Sequence, residues 1–511
     1  MPKLIAFLVT VALGTTLTSA AEQPLPNIVF ILADDLGYGD VGCYNPASRI
    51  PTPHLDRLAT QGMLFTDAHS PSTVCTPTRY SVLTGRMAFR TGMKGVFTGV
   101  GGPCLIESGR LTIAEMLRRR GYTTACIGKW HIGMTFFDKT GAPINKNGLE
   151  AVQRVDYSRA IPDSPIHRGF DVFFGTVCCP TTDWLYAYIE GDRIPVPPVG
   201  IVDRSHLPKH PYSGDNRPGM IAPGFDLEEV DLVFLEKSQR FLERHVQENP
   251  SKPFFLFHST QAVHLPSFAA DRFKGKTGSG PHGDFIFELD YVVGKLMATL
   301  DTLGLADNTL VMFSSDNGPE VRSVIHMRAD HGHDGARPWR GMKRDNWEGG
   351  HRVPFIARWP GRITAGSRSD QTTCLTDVMA TLAAITGATL PDDAAEDSFD
   401  ISQAFLGEQG DAPIRKYTLH QTIKLELAIR RGRWKYLDHK GSGGNTYDRK
   451  NSRIRNYIIA DTAPDALGQL YDLKADPGET RNLALERPEI VKELKTQLEK
   501  YKVEGRSAPR R

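Results

Sequence analysis

The chain has 511 residues, 40% hydrophobic and 23% charged, the balance of a soluble globular protein. Its length allows one large domain with a smaller companion. A formal net charge of only +2 excludes a generally basic nucleic-acid binder and a strongly anionic surface. In chain order, residues 1–21 read as a signal peptide: Lys3 precedes the apolar "LIAFLVTVALGTTL", and small residues near Ala20 and Ala21 suit cleavage. That run is short for a spanning helix, so export to the periplasm or the outside, without stable membrane insertion, is expected. "NIVFILADD" is a β-branched, apolar strand. "TPHLDRLATQG" predicts a helix with Thr52 as N-cap, Pro53 at its start and Gly62 as its stop.

"CTPTRYSVLTGR" places Cys75 at a helix start, with Pro77 in the first turn and Arg79 one turn on. A thiol at a helix N-terminus beside an arginine is expected to ionise easily. "TIAEMLRRRG" is a helix ended by Gly121, and "YTTACIGKW" follows as a strand. A helix over 228–246 feeds the strand "FFLFHS", and a second, about 284–303, leads into "TLVMFSSDNG". This alternation from about 26 to 390 predicts an α/β domain on a mostly parallel sheet. The acidic stretch 391–414 reads as the passage to a second domain, and "GSGG" at 441–444 as a loop tip. "LELAIRRGRWKYLDH" predicts a hairpin, "QLYDL" a further strand, and "PEIVKELKTQLEKYK" a helix with Ile490, Val491, Leu494 and Leu498 on one face. The division is therefore 22–400 for the α/β domain and 401–511 for a small α+β domain. The seven cysteines show neither a disulfide framework nor a C-x-x-C metal pattern.

Four strand-like runs end in groups able to do chemistry: Asp34 and Asp35, Lys129 and His131, His264, and Asp316 with Asn317. In an open α/β sheet ligands bind at the carboxyl ends of the strands, so these groups can converge. Singly, each is also an ordinary turn or surface residue. Together, Asp34, Asp35, Asp316 and Asn317 form an all-oxygen set suited to Ca²⁺ or Mg²⁺ rather than zinc. Lys129 and Arg79 add fixed positive charge for an anionic substrate group.

"CTPTR" followed by "LTGR" resembles the signature of the formylglycine-dependent (type I) sulfatases. With 7 cysteines, 34 prolines and 61 Lys plus Arg, chance placement yields C-x-P-x-R in at most roughly 0.06 copies. "ADDLGYGD", "GKWHIG", "SDNGPE", "RGMKRDNWEGGHRVP" and "LYDLKADPGETRNLA" extend the resemblance over nearly the whole mature chain. It implies an alkaline-phosphatase-like mixed sheet flanked by helices, with a small C-terminal α+β domain. It further implies that a maturation enzyme oxidises Cys75 to formylglycine. One hydroxyl of the hydrated aldehyde would attack sulfur, and the other would expel sulfate. Carried over residue by residue, Asp34, Asp35, Asp316 and Asn317 hold calcium (or magnesium) together with residue 75. Arg79 supports the modified residue, Lys129 and Lys343 neutralise sulfate, His131 acts as base, and His264 as acid to the leaving alcohol.

The resemblance also implies a further polar residue after the "GFDVFFG"-like segment. In "TVCCPTTDW" this could be Thr181, Thr182 or Asp183. The segment is similar to the pocket wall of the arylsulfatase A and N-acetylgalactosamine-6-sulfatase branch, and its Trp184, Tyr186 and Tyr188 either face sugar rings or pack in the core. His331, His333, Asp334 and Arg337 are expected to reach sugar hydroxyls from the same rim. The expected substrate is a sulfated carbohydrate, of galactose or galactosamine type. Two other readings stay open: phosphonate monoester or phosphodiester hydrolysis, and a non-catalytic secreted binding protein.

Overall fold

A computed structural model describes residues 24–450 and 452–510, so the expected signal peptide lies outside the described residues. The main sheet is built from nine strands: β1 (Asn27–Ala33), β2 (Met63–Phe65), β3 (Thr123–Lys129), β4 (Val172–Thr176), β5 (Ile189–Glu190), β6 (Phe254–Ser259), β7 (Thr309–Ser315), β8 (Phe355–Arg358) and β9 (Ser367–Ser369). Their order across the sheet is β9-β2-β8-β7-β1-β6-β3-β4-β5. The five central strands, β7 to β4, run parallel, and β8 and β5 are antiparallel to their inner neighbours. Every residue of β1, β6 and β7 is buried, which is why these runs are continuously apolar rather than alternating.

The flanking helices are α1 (Pro53–Gln61), α2 (Cys75–Thr84), α3 (Ile113–Arg119), α4 (Val230–Glu248), α5 (Gly280–Thr302), α6 (Val321–His331) and α7 (Val378–Thr386). One group packs α5 against α1 and α4; another packs α7 against α2 and α3. Thr52 precedes α1, but its hydroxyl accepts from Gly42 N (2.8 Å) instead of capping the helix. Asp290, reaching across from α5, takes the free N–H groups of His54 (3.1 Å) and Leu55 (2.8 Å). α5 itself starts at Gly280, earlier than its periodicity suggests, with Pro281 in the first turn.

The C-terminal part forms an antiparallel sheet of β10 (Thr418–Gln421), β11 (Leu427–Arg431), β12 (Trp434–Leu437) and β13 (Gln469–Asp472). Helix α8 (Pro488–Val503) covers it with Leu494 and Leu498 fully buried. Buried ion pairs join it to the main sheet's domain, Arg430 with Asp67 at 2.7 Å and Lys435 with Glu348 at 3.0 Å. The stretch 391–414 is packed rather than a free passage. Asp397 is buried against Arg90 (2.6 Å) and the N–H of Met87 (2.8 Å), and Phe405 lies against Phe65. Nor is "GSGG" a free tip: Ser442 is buried, and a Cβ on Gly444 would meet the Arg344 carbonyl at 2.0 Å. All seven cysteines are free thiols. No helix among the described residues is long and apolar enough to cross a membrane.

Candidate active site

Strand order explains the convergence. The four runs singled out by their polar ends are the neighbours β7, β1, β6 and β3, all pointing the same way. Asp34 and Asp35 therefore leave β1 beside Asp316 and Asn317 leaving β7, while His264 lies beyond β6 and His131 beyond β3. Asp34, Asp35, Asp316 and Asn317 are all fully buried. Two backbones here are held in the left-handed region, Asp35 at φ 61° and His131 at φ 59°, a strain that clusters at functional sites. Gly128 (φ 120°) permits the close approach of β3 to β6 just before Lys129, since a Cβ would meet the Ser259 carbonyl at 1.8 Å.

Helix α2 carries its functional groups inward because all ten of its residues are buried. Cys75 Sγ donates to Asp34 Oδ1 at 3.4 Å, and Arg79, four residues on, points the same way. The Arg79 guanidinium meets Asp316 Oδ2 at 2.9 Å and 2.8 Å and the Lys129 carbonyl at 3.2 Å, and also bonds Ser259 Oγ. Lys129 Nζ pairs with Asp34; Lys343 Nζ pairs with Asp35 at 2.6 Å and lies 3.7 Å from Glu320.

Charge states follow from these contacts. Burial opposes charge on Asp34, but Lys129, His264, Arg79 and Lys343 outweigh it and hold the carboxyl well below its usual range. Asp316 is pushed up to about 6 by burial and by Asp34, against Arg79. Burial also opposes charge on both lysines, yet Asp34 holds Lys129, and Asp35 holds Lys343, above the ordinary lysine value. The expected easy ionisation of the Cys75 thiol does not hold. Burial and the Asp316 and Asp34 carboxylates push it well above its ordinary value. Burial keeps His131 neutral, and its Nε2 hydrogen-bonds the Phe97 carbonyl at 2.8 Å, which leaves Nδ1 as the acceptor. His264 behaves oppositely: Cys179, Asp35 and Asp34 raise it against burial and Lys343.

These donors fit a hard cation. Atoms of Asp34, Asp35, Cys75 and His264 lie within 4.8 Å of one another, and Asp35 N donates to Asp316 Oδ1 at 3.3 Å. Asn317 Oδ1 is buried with no hydrogen-bond partner, the condition of an acceptor that serves as a cation ligand. A second cluster, His69, His351 and His420, does not suit a metal. The His351 and His420 rings stack at 3.8 Å and 13°, so their in-plane lone pairs run side by side.

The pocket over this centre holds about 280 Å³ and is lined by Cys75, His131, Cys179, Asp183, His264 and Lys343, among others. Of the three residues offered for the "TVCCPTTDW" stretch, Thr182 and Asp183 line it, whereas Thr181 is buried against Gln261 (2.7 Å). The residue between the two histidines is Cys179, 3.8 Å from His131 Nδ1 and 3.7 Å from His264 Nε2. Burial opposes its ionisation, but His264, Lys129 and His131 prevail and hold the thiol well below its ordinary value. Adjacent Cys178 instead faces the Gly99 carbonyl at 3.9 Å. Sequence reasoning missed Cys179 because the pair "CC" carries no register; one step along the chain turns a thiol from one wall to another. Glu320, quoted within "SDNGPE" but given no role, holds Arg344 at 2.8 Å beside Lys343.

The rim expected from His331, His333, Asp334 and Arg337 lies elsewhere. Gly332 ends α6 in the left-handed region and turns the chain back, so His333 is buried against Asp40 at 2.8 Å and Asp334 pairs with Arg328 at 2.9 Å. Tyr186 is buried in the core, and partly buried Tyr188 packs against it, stacked on Phe174 at 5.1 Å. Trp184 stays half-buried beneath the Arg217 guanidinium, 5.9 Å from its ring.

Residues 26–388 match the family model described as Sulfatase. The N-acetylgalactosamine-6-O-sulfatase of Bacteroides thetaiotaomicron is 35% identical over 500 residues, covering 93% of each chain. Human arylsulfatase A is 34% identical over 503 residues, covering 93% of this chain and 87% of its own. A solved structure from the metabolism of multiple glycosaminoglycans by Bacteroides thetaiotaomicron superposes with a TM-score of 0.78 at 32% identity, covering 94% of this chain and 99% of that one. The family model spans 26–388, and the relatives and the fold agree over nearly the whole described chain, which therefore belongs to the sulfatase family, in the arylsulfatase A and N-acetylgalactosamine-6-sulfatase branch, and is a sulfuric ester hydrolase.

Proposed function

We propose that this protein is exported and removes sulfate from a sulfated carbohydrate of galactose or galactosamine type, with formylglycine at position 75 as nucleophile. The observation that carries the reading is the placement of Cys75 Sγ 3.4 Å from Asp34 inside a ring of Arg79, Lys129 and Lys343. The carbohydrate follows from the relative named an N-acetylgalactosamine-6-O-sulfatase, whose length this chain matches. Maturation needs a separate enzyme that oxidises the cysteine. Within the division 22–400 and 401–511, the first domain carries every one of the site residues.

Asp34, Asp35, Asp316 and Asn317, with residue 75, would hold Ca²⁺ or Mg²⁺. Bound there, the cation supplies Lewis acidity toward a sulfate oxygen and lowers the pKa of the attacking hydroxyl. Everything else is done by the chain. Lys129 and Lys343, both kept charged, draw the sulfate in and offset charge shifting onto its oxygens. Arg79 holds the Asp316 side of the site rigid. Neutral His131 accepts a proton at Nδ1 from the nucleophile's second hydroxyl. His264, its pKa raised by Cys179, Asp35 and Asp34, gives its proton to the alcohol oxygen as the S–O bond breaks. The net change is ester plus water to alcohol plus sulfate.

The test is a panel of position-defined sulfated mono- and oligosaccharides beside nitrophenyl sulfate and phenyl phosphonate. Fastest release from a galacto-configured sugar sulfate supports the reading. Faster turnover of the phosphonate than of every sulfate overturns the reaction class, and faster turnover of the aryl sulfate overturns the sugar.

A further inference from the structure

Beside the catalytic pocket opens a larger cleft of about 1030 Å³, sharing Asp215, Glu320 and Arg344 with it. One wall is α6, which contributes Arg322; the other is the loop after β12, which contributes Arg449, Lys450 and Arg453. Arg449, Lys450 and Arg453 are exposed. Arg322, Arg449 and Lys450 have no ion-pair partner among the described residues. Of the two carboxylates in the cleft, Glu320 is already taken up by Arg344 at 2.8 Å. A chain whose net charge is only +2 thus gathers five fixed cations against two carboxylates in one concavity that borders the reacting centre. A concave surface of one sign concentrates ligands of the other.

Size points the same way. The catalytic pocket of about 280 Å³ is near the lower end for ligand sites, roughly 300–1,000 Å³, and suits a single sulfated sugar. Whatever is attached to that sugar must leave through a neighbouring opening, and the shared wall leads into the basic cleft. We propose that this cleft is a second anion subsite, binding a carboxylate or sulfate on a sugar adjoining the one that is desulfated. The preferred substrate is then a polyanionic saccharide chain rather than an isolated sugar sulfate. This rests on the sulfated-carbohydrate reading above and adds the residues that select the chain.

The experiment compares matured enzyme with an Arg322→Gln/Arg449→Gln/Arg453→Gln triple variant on two substrates. One is N-acetylgalactosamine 6-sulfate; the other is a tetrasaccharide in which that sugar alternates with a uronic acid. Exposed ion pairs are each worth roughly two-fold, so three together amount to roughly tenfold. The expected result is a roughly tenfold rise in KM for the tetrasaccharide, a weaker dependence of its kcat/KM on salt, and no change on the monosaccharide. Carboxyl-reduced and selectively desulfated tetrasaccharides then identify which anion the cleft holds. Equal loss on both substrates, or none on either, overturns the subsite. If the wild-type enzyme releases no sulfate from either substrate, the functional reading fails. Calorimetric titration of the tetrasaccharide into a Cys75→Ala form, with and without the triple change, then decides the cleft: unchanged binding overturns it.

Discussion

The Arg79 guanidinium grips Asp316 Oδ2 with two nitrogens, at 2.9 Å and 2.8 Å, with no solvent access to either side chain. A buried pair broken on one side leaves an uncompensated charge, at a cost of about 3–5 kcal/mol. Arg79→Ala is therefore expected to lower thermal stability sharply and abolish activity. Asp316→Asn keeps shape and an acceptor, and Asp34 at 3.7 Å still offsets the Arg79 charge, so it should destabilise the fold less than Arg79→Ala while losing activity through a weakened cation site. Melting curves and sulfate release on both variants check this; an Asp316→Asn enzyme of full activity would remove Asp316 from the ligand set.

Position 75 is checked by mass. In the active protein the tryptic peptide containing it should be about 18 Da lighter than its thiol form. Cys75→Ser should end turnover while permitting one slow burst, with sulfate left on the chain. A fully active enzyme that retains the thiol contradicts the mechanism.

Cation content follows from the oxygen donors. Purified protein should contain about one Ca²⁺ or Mg²⁺ per chain, and chelation should lower activity and melting temperature, the loss of folding stability being about 2.7 kcal/mol where the ion was present at 100 times its Kd. Stoichiometric zinc with little calcium or magnesium would refute the ligand assignment.

Cys179 differs from the other buried cysteines. Burial pushes Cys126 and Cys104 up, whereas the histidines beside Cys179 favour its thiolate, and it lines the pocket. Iodoacetamide at neutral pH should alkylate Cys179 first and abolish activity, with protection by inorganic sulfate. Peptide mapping reads the site; inactivation that persists in Cys179→Ser would assign it to another thiol.

Asp290, capping α1 from α5, is pushed up to about 7 by burial, against the His54 and Leu55 N–H groups. The unfolded chain releases this proton near pH 4 and the folded chain only near 7, so Asp290 weakens folding progressively as pH rises between those values. Asp290→Asn retains an oxygen for the two N–H groups. Its melting temperature relative to wild type should increase from pH 4.5 to 7.5; a difference independent of pH would mean the carboxyl is charged throughout.

Much of the centre was legible in the sequence because its parts are local. A buried parallel strand must be apolar and must end in polar residues where ligands bind, so Asp34, Asp35, Asp316 and Asn317 stood out within their own segments, as did Cys75 and Arg79 one helical turn apart. The C-terminal helix declared itself by the period of Leu494 and Leu498. Tertiary structure alone decided the rest. Whether Cys179 or a neighbour meets the histidines depends on how the chain turns after β4, and a single-residue step reverses a side chain's direction. The protonated state of Cys75 depends on burial and on carboxylates from two distant strands, which outweigh the helix terminus and Arg79. His333 and Asp334 look like site residues by position, yet the left-handed turn at Gly332 sends them to Asp40 and Arg328. Charge that is nearly balanced along the chain becomes concentrated only when α6 and the loop after β12 face each other across one cleft. Pattern along a chain reports which face is buried; distances between faces come from packing, and electrostatics depends on those distances.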